Sequence, residues 1–386
     1  MATITTRKWT YKGTVREAYR VTYKGQSGKT ATKQFDRRKD AAEFLKTCEA
    51  LAPADRSKTE FKLVAQRWLD ACEKGLGGHV PVEWTTLRNY QGHVKIYINP
   101  AFGHMALGEI TTQVCGQFRD DLLGRVSRNL AKNVLRSLKA ILTQAVIDGH
   151  IQINPARELK VVMSKRDDTR SPVPSVEEMQ KILVKADELA NQPNPMKAKV
   201  WRRYRAMVYV SAFTGIRASE MRGLPWRNID FRTGLLRVSQ RADAARIIGS
   251  PKSKAGHRVI ALAPAIVKLL LEWKAECPPS QANLVFPNWE GNGEAISNIH
   301  NRGWYPLQVR AGVVDQGTGQ GAYRWHDLRH FRASVLIASG ATPKEVMTEM
   351  GHGSISLTFD RYGHLFPDTK GERLRRAADI AKSILG

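Results

Sequence analysis

The run Lys160 to Pro174 (KVVMSKRDDTRSPVP) limits more than any other stretch how this chain can fold. It is polar and charged, and Pro172 and Pro174 lie at its end. Such a segment has little apolar surface to bury, and proline brings no amide hydrogen to a helix or a sheet ladder. It reads as an interdomain linker, placed at residues 162–174. Immediately after it, Ser175 is followed three positions on by Glu178, the pattern of a capping box that starts a helix. With 386 residues, more than one domain is expected, and 42% apolar residues suffice for packed cores.

Two parts precede the linker. In residues 1–58, Val15, Glu17, Tyr19, Val21 and Tyr23 alternate with Arg16, Ala18, Arg20 and Thr22, which is strand periodicity. A turn follows through Gly25 and Gly28, then a second strand from Lys29 to Phe35. Asp36 is placed to cap a helix carrying Ala41, Phe44, Leu45 and Cys48. This small unit holds 14 Lys and Arg against six Asp and Glu, a net +8, and reads as a DNA-binding module. Its strand places Arg16 and Arg20 as phosphate contacts.

Residues 59–161 read as all-helical. Phe61, Val64, Ala65, Trp68 and Leu69 make one apolar stripe, and Thr85 to Ile96 a second helix. Asn99-Pro100 is expected to break the chain. Asn129 to Ile147 reads as a long helix that buries Val134, Leu135, Leu138, Ile141, Leu142 and Ala145, stops by Asn154-Pro155, and leaves Lys132 and Arg136 outside for DNA. Residues 175–386 read as one large mixed α/β domain. Strands are expected at Leu235–Gln240 and Arg246–Leu262, and helices at Pro264–Glu276, His326–Ala338 and Pro343–Glu349.

The formal net charge is +25. That imbalance costs stability through self-repulsion, while clustered Lys and Arg gain affinity for phosphates by releasing counterions. A polyanion is the expected partner. A membrane is not, because the chain has no run of 18 apolar residues, no juxtamembrane basic cluster and no lipidation signal. Met1 to Thr10 lacks the apolar run of a signal peptide. Cys48, Cys72, Cys115 and Cys277 are too scattered for a zinc site or a disulfide framework, and are expected as small buried hydrophobes in a reducing cytosol.

Four short stretches after the linker carry chemistry only when taken together. Thr214-Gly215-Ile216-Arg217-Ala218-Ser219-Glu220 sets Arg217 and Glu220 three apart on one expected helical face, so that the carboxylate can hold the guanidinium toward a phosphate. Pro251 to Arg258 (PKSKAGHR) reads as the basic tip of a β-hairpin, bringing Lys252 or Lys254 to a reacting phosphate. His326-Asp327-Leu328-Arg329-His330 puts His326 and Arg329 one helical turn apart. His326 and His330 also imitate a metal pair, but no third ligand is evident and no metal is expected. Gly351 to His364 (GHGSISLTFDRYGH) offers His352 and, ten positions on, Tyr362. Metal-free phosphodiester transfer needs this set: cationic donors for the charge that builds on phosphate oxygens, a phenol nucleophile and a proton for the departing oxygen.

In this order the four stretches resemble the signature of tyrosine recombinases, nearest to the integrases of temperate phages and integrative elements. The likeness runs from about Thr59 to about Pro367. It implies that Arg217, Lys254, His326, Arg329, His352 and Tyr362 form the active site with Glu220 in support, with Lys252 a rival for the lysine role. It also implies a multidomain, mainly α fold. A small N-terminal β-sheet-plus-helix module (1–58, three strands and a helix) would bind arm-type DNA. A helical core-binding domain (59–161) would clamp the duplex, and a mixed α/β catalytic domain (175–386) would cut and rejoin it. The expected partners are double-stranded attachment-site DNA, three further copies in a homotetramer, and an excision helper protein. No cofactor is expected, and the expected place of action is the cytoplasm of a bacterial host. The C-terminal apolar positions Leu374, Ala377, Ala378, Ile380, Ala381 and Ile384 would either close their own domain or, as in the family, dock on another subunit. A DNA-binding regulator without catalysis, a metal-dependent nuclease and a type IB topoisomerase are the alternatives. The intact residue set opposes the first, and the arm-like N-terminus the last.

Overall fold

The computed structural model describes residues 3–11, 14–24, 30–50, 57–163, 172–366 and 370–385. The chain folds as two units, residues 1–168 and 169–386.

The first unit opens with a three-stranded antiparallel sheet, β1 (Thr3–Tyr11), β2 (Thr14–Lys24) and β3 (Thr30–Phe35), in that order, with α1 (Arg38–Ala50) against it. Individual residues suggested only β2 and β3. β1 (TITTRKWTY) is an edge strand rich in Thr and charge, so it lacks the apolar alternation that marks a half-buried strand. Ala18, Val21 and Ala41 are buried, and the rings of Phe35 and Phe44 lie 5.1 Å apart. Arg20 is exposed; the side chain of Arg16 and that of Cys48 lie outside the described residues.

Five helices follow: α2 (Phe61–Lys74), α3 (Trp84–Gly92), α4 (Asn99–Phe102), α5 (Thr112–Arg125) and α6 (Arg128–Ile147). Every residue of the expected α2 stripe is buried, and so is the expected face of α6. Asn99-Pro100 does not break the chain. A π-helical stretch, His93–Ile98, joins α3 to α4, and Asn99 N–H reaches back five residues to Val94 O. The widened turn accommodates Pro100, which has no amide hydrogen to lose from the ladder. α6 stops at Ile147, well before Asn154-Pro155, with Gly149 at a φ of 76° just beyond. Cys72 and Cys115 are buried free thiols.

The second unit is built around α8 (Pro195–Thr214), which follows α7 (Val176–Ala190) and its capping box. α8 buries residues around most of its circumference, as a central helix must. After α9 (Ala218–Arg222) come β4 (Ile229–Asp230), β5 (Leu235–Val238), β6 (Arg241–Ala242), β7 (Ile248–Gly249) and β8 (Arg258–Ala261). β4, β5 and β8 form one antiparallel sheet, while β6 and β7 pair separately. The strand-like range Arg246–Leu262 holds two short strands, Ile248–Gly249 and Arg258–Ala261. The tip of the β6–β7 hairpin is near Asp243–Ile247, where Arg246 takes a φ of 70°. Pro251–His257 is instead a return segment with a 3₁₀ turn at Lys254–Gly256, because its proline and glycine interrupt a ladder.

α10 (Pro264–Glu276), α11 (Ile296–Asn298), α12 (Tyr305–Arg310), α13 (Asp327–Ala338), α14 (Pro343–Met350) and α15 (Ile355–Tyr362) complete the body, and α16 (Lys370–Leu385) follows. The described side chains of α16 are all exposed, Ile380 by 58% and Ile384 by 75%. Cys277 is half-buried rather than buried. Among the described residues no helix is long and apolar enough to cross a membrane.

Candidate active site

The centre of the second unit is where α8 ends. Gly215 closes it with a φ of 61°, a left-handed conformation that glycine adopts without strain. The chain then extends through Arg217, which precedes α9 rather than sharing a helical face with Glu220. Glu220 accepts from the Arg217 amide at 2.9 Å and from Arg217 Nη1 at 2.7 Å. Its other debt is to Arg258 on β8, whose Nη2 donates at 2.8 Å. Burial alone would raise the pKa of Glu220. The hydrogen bond and charge of Arg258, with those of Arg217, hold it below the usual value.

Backbone carbonyls fix the remaining guanidinium groups. Arg217 Nη2 donates to Gly351 O at 2.8 Å, and Arg258 Nε to Glu349 O at 2.7 Å. Arg329, buried near the start of α13, donates to Gly215 O at 2.8 Å and to Met350 O. Burial and the charges of Arg217 and Arg258 lower its pKa to about 9, which still leaves it charged at neutral pH. All three arginines thus grip the end of α14 and the turn at Gly351, which puts them next to His352.

His352 meets Thr358 Oγ1 through Nδ1 at 2.9 Å, and its ring stacks on Tyr362 at 6.3 Å between centroids. Tyr362 ends α15 and is 3% exposed. Its hydroxyl lies 2.6 Å from His330 Nδ1. Burial raises the pKa of the phenol, and the charges of Arg329 and Arg361 oppose that rise. His326 lies edge-on to His330, 4.9 Å between centroids, at the mouth of a pocket lined also by Ala218, His300, Arg324 and Arg361. Burial first, and then the guanidinium charges of Arg329, Arg361, Arg217 and Arg324, pull its pKa to about 4. His352 is drawn to about 4 by burial and then by Arg329 and Arg217.

Arg217, His326, Arg329, His352 and Tyr362 are therefore brought together from three of the four stretches. Lys254 is near but apart. It is exposed at the start of its 3₁₀ turn, and that turn abuts Gly351: a Cβ on Gly351 would lie 2.7 Å from Ala255 O. Lys252 is exposed on the same segment. In the first unit, Lys132 and Arg136 are exposed on α6 and line a groove with Lys139 and Lys160. Three participants escaped the sequence reading. Arg258 stood in the quoted basic run, and Arg361 beside Tyr362, without a role. His330 was weighed only as a metal ligand.

The phage integrase family matches residues 175–368, and the N-terminal SAM-like domain of phage integrases matches residues 61–123. The ICEBs1 integrase of Bacillus subtilis is 24% identical over 309 residues, covering 76% of this chain and 77% of that protein. The tyrosine recombinase XerC of Xylella fastidiosa is 26% identical over 299 residues, covering 76% and 88%. Among solved structures, the Tn1549 transposon integrase in complex with transposon right end DNA aligns with a TM-score of 0.66. It is 18% identical and covers 83% of this chain and 100% of that one. A lambda integrase tetramer bound to a Holliday junction aligns with a TM-score of 0.56 at 18% identity, covering 87% and 94%. The family match spans half of the chain, and it spans every residue of the cluster around Tyr362: the chain belongs to the phage integrase family and is a tyrosine-type site-specific recombinase.

Proposed function

We propose that this recombinase cuts and rejoins double-stranded DNA with Tyr362 as its nucleophile. The observation that carries the reading is the position of Tyr362, buried with its hydroxyl 2.6 Å from His330 Nδ1, its ring stacked on His352 and its oxygen under the charges of Arg329 and Arg361. The phenol oxygen attacks the scissile phosphorus, the bond to the 5′-oxygen breaks, and that oxygen leaves with a proton. The product is a 3′-phosphotyrosine, which keeps the bond energy so that the 5′-hydroxyl of a second strand can reverse the step. Arg217, Arg329 and His352 neutralise the charge that develops on the nonbridging oxygens, in a site where the two arginines are already held by backbone carbonyls and His352 by Thr358, and need no reorganisation. Glu220 keeps Arg217 in place. His326, neutral at physiological pH, assists proton movement, and Lys254 protonates the leaving oxygen, with Lys252 its rival. Tyr323, another phenol of the same unit, is committed to Glu178 Oε2 at 2.8 Å, and its pKa is pushed up to about 12 by burial and that carboxylate.

Residues 1–58 are assigned to arm-type DNA, through Arg16 and Arg20, and 59–161 to the core site, through Lys132 and Arg136. Residues 162–174 act as the linker, and 175–386 perform catalysis. Four copies assemble on two duplexes to integrate or excise a mobile element, with α16 docking between copies, and an excision helper protein sets the direction. Nicked suicide duplexes tiling the junctions of the element that carries this gene test the reading. The wild-type protein traps a covalent adduct, with EDTA present, and Tyr362→Phe binds the same duplex without trapping it. Adduct formation by the Phe variant moves the nucleophile elsewhere.

A further inference from the structure

His330 has no part in the reaction just described, yet its ring lies at the centre of the site and is 6% exposed. Nδ1 is 2.6 Å from Tyr362 Oη, and Nε2 is 3.0 Å from Arg361 Nη1. A guanidinium has five donors and no acceptor, so Nε2 must turn its lone pair toward Arg361. A neutral imidazole carries one proton, which is then on Nδ1 and points at the phenol oxygen. The doubly protonated ring would set an N–H against an N–H of Arg361. Burial, followed by the charges of His326, Arg361, Arg329 and Arg324, also brings the pKa of His330 to about 3. These groups, with His300 across the pocket and Tyr362 itself, are the titratable and charged neighbours that face the ring.

The direction of this hydrogen bond decides what His330 can do. A ring whose Nδ1 already carries a proton cannot take the proton of the phenol. It can fix where the oxygen points, and its hydrogen bond strengthens as the oxygen gains negative charge. We propose that His330, locked as its Nδ1–H tautomer by Arg361, donates a hydrogen bond to Tyr362 Oη, aims that oxygen and stabilises the phenolate. The phenol proton passes instead to neutral His326, the group already given proton movement, and from there to solvent. The same two contacts occupy both ring nitrogens, so neither is left to bind a metal. The proposal rests on the reading of Tyr362 as the nucleophile.

The test measures single-turnover adduct formation by the full-length protein on the nicked suicide duplexes, as a function of pH, with DNA binding and thermal melting in parallel. His330→Asn keeps an N–H where Nδ1 stands, His330→Asp puts an acceptor there, and His330→Ala removes the contact. The Asn variant is expected within a few-fold of wild type. The Ala variant is expected to slow by about tenfold to a hundredfold, the usual worth of a hydrogen bond to a charged group. The rising limb of the pH–rate curve moves to higher pH in the Ala and Asp variants and stays put in the Asn variant. An Asn variant as slow as Ala, with DNA binding intact, makes His330 a proton acceptor and overturns the proposal. So does an Ala variant with wild-type rate and an unmoved limb. Should the Ala variant fail to fold, an Asp variant as fast as Asn overturns it equally. Tyr362→Phe runs alongside: an adduct there defeats the nucleophile reading itself, whereas the other results bear on His330 alone.

Discussion

Glu220 is 2% exposed and answers three donors, the Arg217 amide, the Arg217 guanidinium and Arg258. Removing one partner of such a buried pair leaves the other charge uncompensated, so Glu220→Ala is expected to lose about 3–5 kcal/mol of stability, measured by urea unfolding. The pH dependence has a definite sign. The folded pKa of Glu220 lies below its ordinary 4.5, so its contribution is fully present above that value and is lost as pH falls through the lowered one. The unfolding free energy of the Ala variant should therefore fall less steeply than wild type below pH 4.5, and parallel curves would contradict the assignment. The lysine role is decided by a substrate with sulfur in the 5′-bridging position, whose leaving group needs no proton. It should restore cleavage to Lys254→Ala; rescue of Lys252→Ala instead reassigns the acid, and rescue of neither removes lysine from the role. Five residues of this site were legible in the sequence because the short stretches that hold them, in their order along the chain, resemble a family signature. Arg258 and His330 were not. Their parts depend on contacts across 38 and 32 residues, which no local pattern records.

At the scale of elements, α16 carries Ala377, Ala378, Ile380, Ala381 and Ile384 as exposed residues on a helix that also holds Arg373, Arg375, Arg376, Asp379 and Lys382. An apolar set left open to water is a contact surface in waiting, and a second copy of the chain is the occupant that the family reading supplies. Deleting residues 370–386 should leave monomer binding to a single core site intact while reducing assembly of the four-copy complex, followed by gel shift and light scattering. Normal assembly of the truncated protein would reject the role. Elements with a strong apolar stripe, such as α2, α6 and α10, could be read directly. β6 and β7, of two residues each, are too short for any periodicity to show. α5 was missed because Gly116 and Gly124 interrupt a weak stripe of Cys115, Phe118 and Leu122. The Pro100 error has the opposite cause: proline is a reliable breaker of an α-helix, and the π turn ahead of it is a device the sequence does not announce.

For the whole molecule, the charge of +25 and the sequence of motifs were enough to suggest DNA and a multidomain, mainly α chain, because both are properties of the residues themselves. The arrangement of modules on DNA is a different matter, since it depends on partners that the chain does not encode. Residues 1–58 should bind DNA on their own, with affinity falling steeply as salt rises. Their deletion should spare weak core-site cleavage while abolishing most recombination on full attachment sites, because tethering to a second site raises the effective concentration of the catalytic part. A truncated enzyme that recombines full sites at the wild-type rate would reduce this segment to a solvated extension. The central claim is that Tyr362 joins DNA covalently, and the most direct measurement is of the adduct itself. The wild-type protein trapped on a suicide duplex is digested with protease and nuclease, and the peptide that carries the nucleotide is sequenced by mass spectrometry. The modification is expected on Tyr362 within the Gly351–His364 stretch; a nucleotide found on Tyr323, Tyr305 or any other residue would contradict the account.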